Sequence, residues 1–90
     1  MAESGARSRL VYPVSATQIR ELLLTIPSWR RILPNIGDGT SFEETDLDSL
    51  AHLELIEELQ NASGVEIPDD DVGRLATIAD AVGYLNERLQ

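Results

Sequence analysis

Residues 48–62 of this 90-residue chain read DSLAHLELIEELQNA, and this stretch decides the fold. On a helical wheel it has one apolar stripe, formed by Ala51, Leu55, Ile56, Leu59 and Ala62. Acidic side chains and Asn61 cover the opposite side, as expected for a helix with one face toward solvent. The stretch therefore predicts an amphipathic helix that starts at residue 48 or 49, runs to about residue 61 and ends near Gly64.

Two leucines do not follow this pattern. Leu50 and Leu53 fall among the acids on the outer side of the helix, next to Glu54 and Glu57. Isolated exposed leucines are common, but two leucines one turn apart with an acidic rim are typical of a contact surface. We therefore predict that these four side chains bind partner proteins.

Ser49 falls where a hydroxyl would be displayed at the positive end of the helix dipole. A plain N-cap is the commonest reason for a serine at a helix start. The functional alternative is an attachment point whose phosphate ester lies beside the helix N-terminus, with Asp48 steering a metal-bearing modifying enzyme. His52 falls on the core side, and we expect a core-edge imidazole that is hydrogen-bonded to the backbone.

Signals on both sides of this helix predict further helices. Ser15 and Gln18 form a capping box that opens a first helix, which Pro27 ends at or just before Ile26. Residues 69–75 indicate a short helix, and Thr77 caps a last one. We predict an all-α fold, a small four-helix bundle of three main helices plus one short helix. Residues 1–13 are expected to be a flexible N-terminal tail, and residues 14–90 a single domain.

The connection between the first two main helices is long, covering residues 27–45. Ile36 and Phe42 are expected to fold back onto the core as plugs, and residues 28–33 to form one short turn. Trp29 and two following arginines give this segment a basic and aromatic character. A connection this long in so small a protein is often functional.

Composition excludes several functional classes. The chain has no cysteine, so disulfides, thiolate metal sites and thiol catalysis are ruled out. The net charge of −9 argues against nucleic-acid binding, because phosphate backbones repel such a chain. No apolar run approaches the ~20 residues needed to span a bilayer, and residues 1–14 lack a secretory signal. We expect a soluble, cytoplasmic monomer.

The charge is distributed unevenly. Residues 32–73 contain twelve carboxylates and neither lysine nor arginine, whereas five of the seven arginines fall within residues 1–31. Such an acidic block is either a well-solvated surface or a docking face that attracts basic partners. Charge by itself leaves both interpretations open.

Two kinds of active site are unfavourable. A hydrolase using Ser49 and His52 would need an oriented acid, an oxyanion hole and a substrate cleft, for which a domain this small has little room. A calcium loop through Asp46, Asp48 and Glu57 also fails. Leu50 stands where an oxygen ligand is required, and Ala51 stands where glycine is required. We therefore predict no metal site and no catalytic residue.

Together these segments resemble the acyl carrier protein family. The central match is Asp48-Ser49-Leu50 followed by Glu54 and Leu55, the pattern that opens the family's second helix. Upstream, residues 40–42 are similar to the segment that leads into it. Downstream, residues 65–68 and 77–85 resemble the approach to helix three and the last helix. The resemblance covers residues 15–89 in order.

The resemblance implies that Ser49 carries 4′-phosphopantetheine, transferred from coenzyme A by a magnesium-dependent phosphopantetheinyl transferase. The thiol of this arm would hold an acyl group as a thioester. It also implies that Leu50, Leu53, Glu54 and Glu57 meet basic docking patches of acyl-loading and acyl-processing enzymes. His52 matches a position near the pocket in which some members shelter the acyl chain. The chain itself would not be an enzyme.

Fatty-acid, polyketide and related biosynthesis all use such carriers. An aminoacyl or peptidyl carrier of a nonribosomal-type pathway is an alternative, although such carriers tend to have glycine where this chain has Asp48. A third alternative, of a different class, is an acidic helical adaptor that docks through Leu50 and Leu53 and is never modified.

Overall fold

The computed structural model describes residues 10–90, and every regular element within them is a helix. The four α-helices are α1 (Ala16–Leu23), α2 (Pro27–Ile32), α3 (Ser49–Ser63) and α4 (Ile78–Leu89). Three short 3-10 helices span Leu33–Asn35, Phe42–Glu44 and Asp69–Arg74. The predicted all-α fold is confirmed, with α1, α3 and α4 as its three main helices.

The short elements add detail to this prediction. The short helix expected at residues 69–75 forms as the 3-10 helix Asp69–Arg74. The long connection contains a six-residue helix, α2, where the sequence indicated a single turn. Pro27 explains both the end of α1 and the start of α2, because proline disfavours helical conformation before it and is preorganised for the first helical position.

Most helix ends lie where local signals place them. The Ser15 hydroxyl accepts from the backbone N–H of Gln18 at 3.3 Å, and the Thr77 hydroxyl accepts from that of Asp80 at 2.9 Å. Helix α3 ends at Gly64, whose φ of 76° is left-handed and therefore suits glycine. The capping box at α1 is only half formed, because the Gln18 side chain bonds to the backbone of residues 11 and 13 instead of Ser15.

All the helices contribute to one core. Helix α1 packs against α4, and the predicted stripe of α3 is buried except for the partly buried Ala62. Ile36 and Phe42 are buried, as predicted for plugs. The largest side chains with essentially no exposure are Trp29, Ile19, Leu23, Leu55, Leu59, Leu75, Ile78 and Leu85.

Polar contacts hold the long connection against the bundle. The Arg20 guanidinium on α1 donates to the Asp38 carboxylate and to the carbonyl of Ile36, both at 2.9 Å. Further along, the N–H of Phe42 donates to the carbonyl of Ala76 at 2.8 Å. The connection is thereby tied to α1 and to the segment that precedes α4, so Phe42 has a defined position.

The chain before α1 is attached to the bundle from Leu10 onward. Leu10 is buried, and its N–H donates to the carbonyl of Ala62 at 3.1 Å. Asn86 on α4 accepts from the N–H of Val14 at 2.7 Å and donates to the carbonyl of the same residue at 3.0 Å. Leu10 and Val14 are therefore attached to the bundle, whereas residues 1–9 of the expected tail lie outside the described residues and the flexible tail stays a prediction.

The 3-10 helix Asp69–Arg74 is attached to α4 through a polar cluster. The Tyr84 hydroxyl donates to the Asp71 carboxylate at 2.7 Å, and Arg88 donates to the same oxygen at 3.3 Å. The Arg88 guanidinium also lies 3.8 Å from the centre of the Tyr84 ring. Burial of the ring, reinforced by the hydrogen bond to Asp71, raises the pKa of Tyr84 above the usual tyrosine value.

Replacing Asn86 should destabilise the fold. Asn86→Ala removes both hydrogen bonds to Val14 and leaves two half-buried backbone groups without partners, at a cost of about 1–3 kcal/mol. Urea unfolding followed by circular dichroism measures the loss. The control is Asn61→Ala at an exposed position of α3, and an equal loss in both variants would contradict the proposed role of Asn86.

The polar cluster should make stability fall at alkaline pH. The pKa of Tyr84 is higher in the folded state than in the unfolded state. The neutral tyrosine therefore contributes fully to the free energy of unfolding below pH ~10. This contribution is lost as the pH rises through the pKa of Tyr84 in the folded state. Tyr12→Phe leaves Tyr84 as the only tyrosine. Its ultraviolet titration should then have a midpoint above that of the unfolded chain, and coinciding midpoints would contradict the assignment.

Candidate functional site

Ser49 is the first residue of α3, and its side chain is exposed. The N-cap is Asp48, whose carboxylate accepts from the backbone N–H of Ala51 at 2.9 Å. The interpretation of Ser49 as a plain N-cap is therefore wrong. Its hydroxyl makes no hydrogen bond to any side chain or backbone group within residues 10–90. This hydroxyl stands at the helix start with no structural task among the described residues.

A cavity of about 290 Å³ lies beside Ser49. Its buried walls are the side chains of Trp29, Phe42 and Leu75. Four exposed residues line its solvent side, Glu43, Asp48, Ser49 and Gly73. The cavity is thus apolar inside and acidic at its entrance, with the Ser49 hydroxyl at the rim.

Aromatic packing shapes the inner part of this cavity. The rings of Trp29 and Phe42 meet edge to face, with centroids 4.9 Å apart and an interplanar angle of 81°. The Phe42 ring lies 6.1 Å from the imidazole of His52. The indole N–H of Trp29 donates to the carbonyl of Ala51 at 2.8 Å. The wall is therefore held by a buried hydrogen bond as well as by ring contacts.

His52 lies half-buried at the edge of the core, as the sequence predicted. Its Nε2 is 3.0 Å from the carbonyl oxygen of Leu75. Because a carbonyl only accepts, Nε2 carries a proton in this contact. The basic nitrogen is then Nδ1, and no hydrogen bond joins it to Ser49 within residues 10–90. The geometry gives no support to a serine hydrolase.

The outer surface of α3 places the four predicted contact residues together. Leu50 and Leu53 are 65% and 57% exposed, and Glu54 and Glu57 are exposed beside them. Large apolar side chains this exposed lose stabilisation that burial would provide. A shallow groove of about 370 Å³ runs between this face of α3 and the 3-10 helix Asp69–Arg74. The role of these four exposed side chains in partner binding stays a prediction.

Within residues 10–90, no three histidine or carboxylate side chains come together in a way that could hold a metal ion. None of the helices there has the length and apolar character required to cross a membrane.

Trp29 belongs to the site although no sequence motif marked it. The pattern of Trp29 and two arginines indicated only a basic and aromatic segment, whereas the indole is completely buried. The spacing of Ile26, Trp29 and Leu33 could have revealed this, because positions i, i+3 and i+7 fall on one side of a helical turn that is entered through Pro27. Arg30 and Arg31 occupy the exposed side of α2.

Comparison with known proteins agrees with this geometry. The family model described as "Phosphopantetheine attachment site" matches residues 18–85. The acyl carrier protein of Chloroherpeton thalassium is 37% identical over 54 residues, which are 59% of this chain and 68% of that protein. The acyl carrier protein of Zymomonas mobilis is 36% identical over 52 residues, 58% of this chain and 67% of that protein.

A third relative, the acyl carrier protein of Rubrobacter xylanophilus, is 44% identical over 45 residues, 50% of this chain and 56% of that protein. No solved structure matches the chain. The family model covers most of the chain, including the start of α3 and the cavity beside it. The chain therefore belongs to the acyl carrier protein family, whose members carry 4′-phosphopantetheine.

Proposed function

We propose that Ser49 is the attachment point for 4′-phosphopantetheine, and that the protein holds acyl groups as thioesters on this arm. The observation that carries the proposal is the position of the Ser49 hydroxyl. It is exposed at the first residue of α3, it is released from capping by Asp48, and it stands at the rim of an apolar cavity. A modifying enzyme can reach this oxygen without any change in the bundle.

The residues around Ser49 suit a phosphodiester. The first turn of a helix has backbone N–H groups without helical partners, and its dipole favours negative charge. The N–H of Ala51 donates to the Asp48 carboxylate. The N–H groups of Ser49 and Leu50 do not take part in this capping bond. A phosphate on the Ser49 oxygen would therefore lie at a helix N-terminus, where anions are favoured.

The thiol chemistry comes with the arm, because the chain has no cysteine. In the transfer, Ser49 Oγ would form a bond to the phosphorus that bears the pantetheine arm, and the P–O bond of the coenzyme A pyrophosphate would break. Adenosine 3′,5′-bisphosphate would leave, and the hydroxyl proton would pass to solvent. The transfer enzyme supplies the magnesium ion. The chain's own residues present the arm and offer the cavity, while His52 is engaged with the backbone of Leu75. We infer a carrier with no catalytic activity of its own.

The exposed residues Leu50, Leu53, Glu54 and Glu57 form what we call the docking surface. Its two leucines provide the apolar centre, and its two carboxylates provide a charged rim. Partners with basic patches would be steered to this surface, since opposite charges raise association rates. The surface starts one residue after Ser49, so an enzyme bound there lies close to the arm.

The cargo class that we favour is an acyl intermediate of fatty-acid, polyketide or related biosynthesis. Three similar relatives are named acyl carrier proteins. Asp48 also fits this choice, because its carboxylate caps α3 where a glycine would provide no side chain.

Ser49→Ala should abolish attachment of the arm. Wild-type protein incubated with coenzyme A, magnesium and a broad-specificity transferase should gain the mass of one phosphopantetheine, and the variant should gain none because it lacks the hydroxyl. Intact-protein mass spectrometry measures the gain. The control is Ser63→Ala, at the other end of α3, which should be loaded like the wild type.

Two outcomes would contradict this proposal. A mass gain in Ser49→Ala would place the attachment elsewhere. A wild-type chain that stays unmodified under conditions that load a known carrier would favour the unmodified adaptor.

Charge reversal on the docking surface should slow loading. Glu57→Lys is expected to lower kcat/KM of the transferase about 10-fold at low salt, because electrostatic steering changes association rates by ~10-fold or more. The deficit should shrink as salt screens the charges. The control is Glu21→Lys on the exposed side of α1, and an equal loss there would mean that net charge matters and not this surface.

A further inference from the structure

We propose that Trp29 closes the inner end of the cavity beside Ser49 and restricts the sheltered cargo to short, neutral, apolar acyl groups. This inference rests on the proposed attachment at Ser49, because it concerns what the arm delivers to the cavity. Trp29 would then be a specificity-determining residue, a role that no sequence motif assigns to it.

The indole of Trp29 is in a fixed position. It has no exposed surface, and its N–H donates to the carbonyl of Ala51 at 2.8 Å. Phe42 packs edge-on against it at 4.9 Å and is itself held by a 2.8 Å backbone hydrogen bond to Ala76. Rotating the indole aside would leave a buried donor without a partner and would break this ring contact. The cavity therefore does not deepen easily past Trp29.

The size of the cavity limits the length of the cargo. Its volume of about 290 Å³ lies just below the roughly 300–1,000 Å³ found for small-molecule sites. An acyl chain that enters beside Ser49 meets the buried side chain of Trp29, and a long chain such as palmitoyl would extend past Trp29 only by displacing the indole.

The chemistry of the walls limits the charge of the cargo. Phe42, Leu47 and Leu75 are apolar, and the Nε2 of His52 already contacts a backbone carbonyl. At the entrance stand the exposed carboxylates of Glu43 and Asp48. A cargo with its own carboxylate would be repelled at the entrance and would lose hydration inside. A neutral acyl group meets neither obstacle.

The test uses the single tryptophan as a probe, since the chain has one indole N–H. The full chain is loaded with butyryl, octanoyl, palmitoyl or succinyl arms, and the indole signal is followed by nitrogen–proton NMR. Butyryl should shift the signal and succinyl should not.

Cleavage of the thioester by hydroxylamine should be no slower for palmitoyl than for octanoyl. An unshifted signal with butyryl, equal shifts with butyryl and succinyl, or added protection of palmitoyl would overturn the inference.

Trp29→Leu should extend the cavity. In this variant, palmitoyl thioester should be cleaved about 10-fold more slowly than in the wild type, the ratio expected when two or more further methylenes are buried. Circular dichroism checks that the variant folds. If it does not fold, the chain-length series in the wild type still decides the question. A folded variant that protects palmitoyl no better than the wild type would contradict the role of Trp29.

A second arm of the test does not depend on phosphopantetheine. Because the chain has no cysteine, Ser49→Cys introduces a unique thiol at the rim. Butyl or hexadecyl methanethiosulfonate forms a mixed disulfide with this thiol and releases methanesulfinate. Butyl should shift the indole signal and hexadecyl should shift it no further. Displacement of the indole by hexadecyl, seen as new quenching of its fluorescence by acrylamide, would overturn the inference. This arm remains decisive if the wild type fails to accept phosphopantetheine.

Discussion

Burial of Trp29 against the first turn of α3 is the contact on which the site depends. The indole hydrogen-bonds to the carbonyl of Ala51, two residues after Ser49, and so joins the long connection to the start of the helix. Phe42 packs on the same indole and is anchored at its backbone to Ala76. The inner side of the α3 N-terminus is covered by these contacts, while Ser49 and the docking surface face outward.

Asp48 and Ser49 have different roles at the start of α3. The Asp48 carboxylate caps the helix, and the Ser49 side chain stays exposed. Arginines perform structural tasks away from that position, because Arg20 pairs with Asp38 and Arg88 pairs with Asp71. These pairs relieve part of the self-repulsion of the acidic block. Glu54 and Glu57 of the docking surface are exposed, as the proposed attraction of basic partners requires.

Local sequence determined much of the fold. The periodicity of residues 48–62 predicted α3 and its buried stripe, because a helix with one apolar side must turn that side toward a core. Ser15, Thr77 and Gly64 marked helix ends through interactions that span only a few residues. The outward position of Leu50 and Leu53 was equally readable, since these side chains do not fit the same stripe. The family resemblance pointed to Ser49 and its arm.

Only the tertiary structure decided the rest. It showed that Asp48 and not Ser49 caps α3, a choice between adjacent residues that depends on the entry of a long connection. It also showed that Trp29 and Leu10 are buried in the core. The cavity, in turn, is lined by side chains that are distant in sequence. Periodicity and capping are short-range, so sequence alone could determine them. A cavity depends on which elements meet across the bundle, and that is settled when the whole core packs.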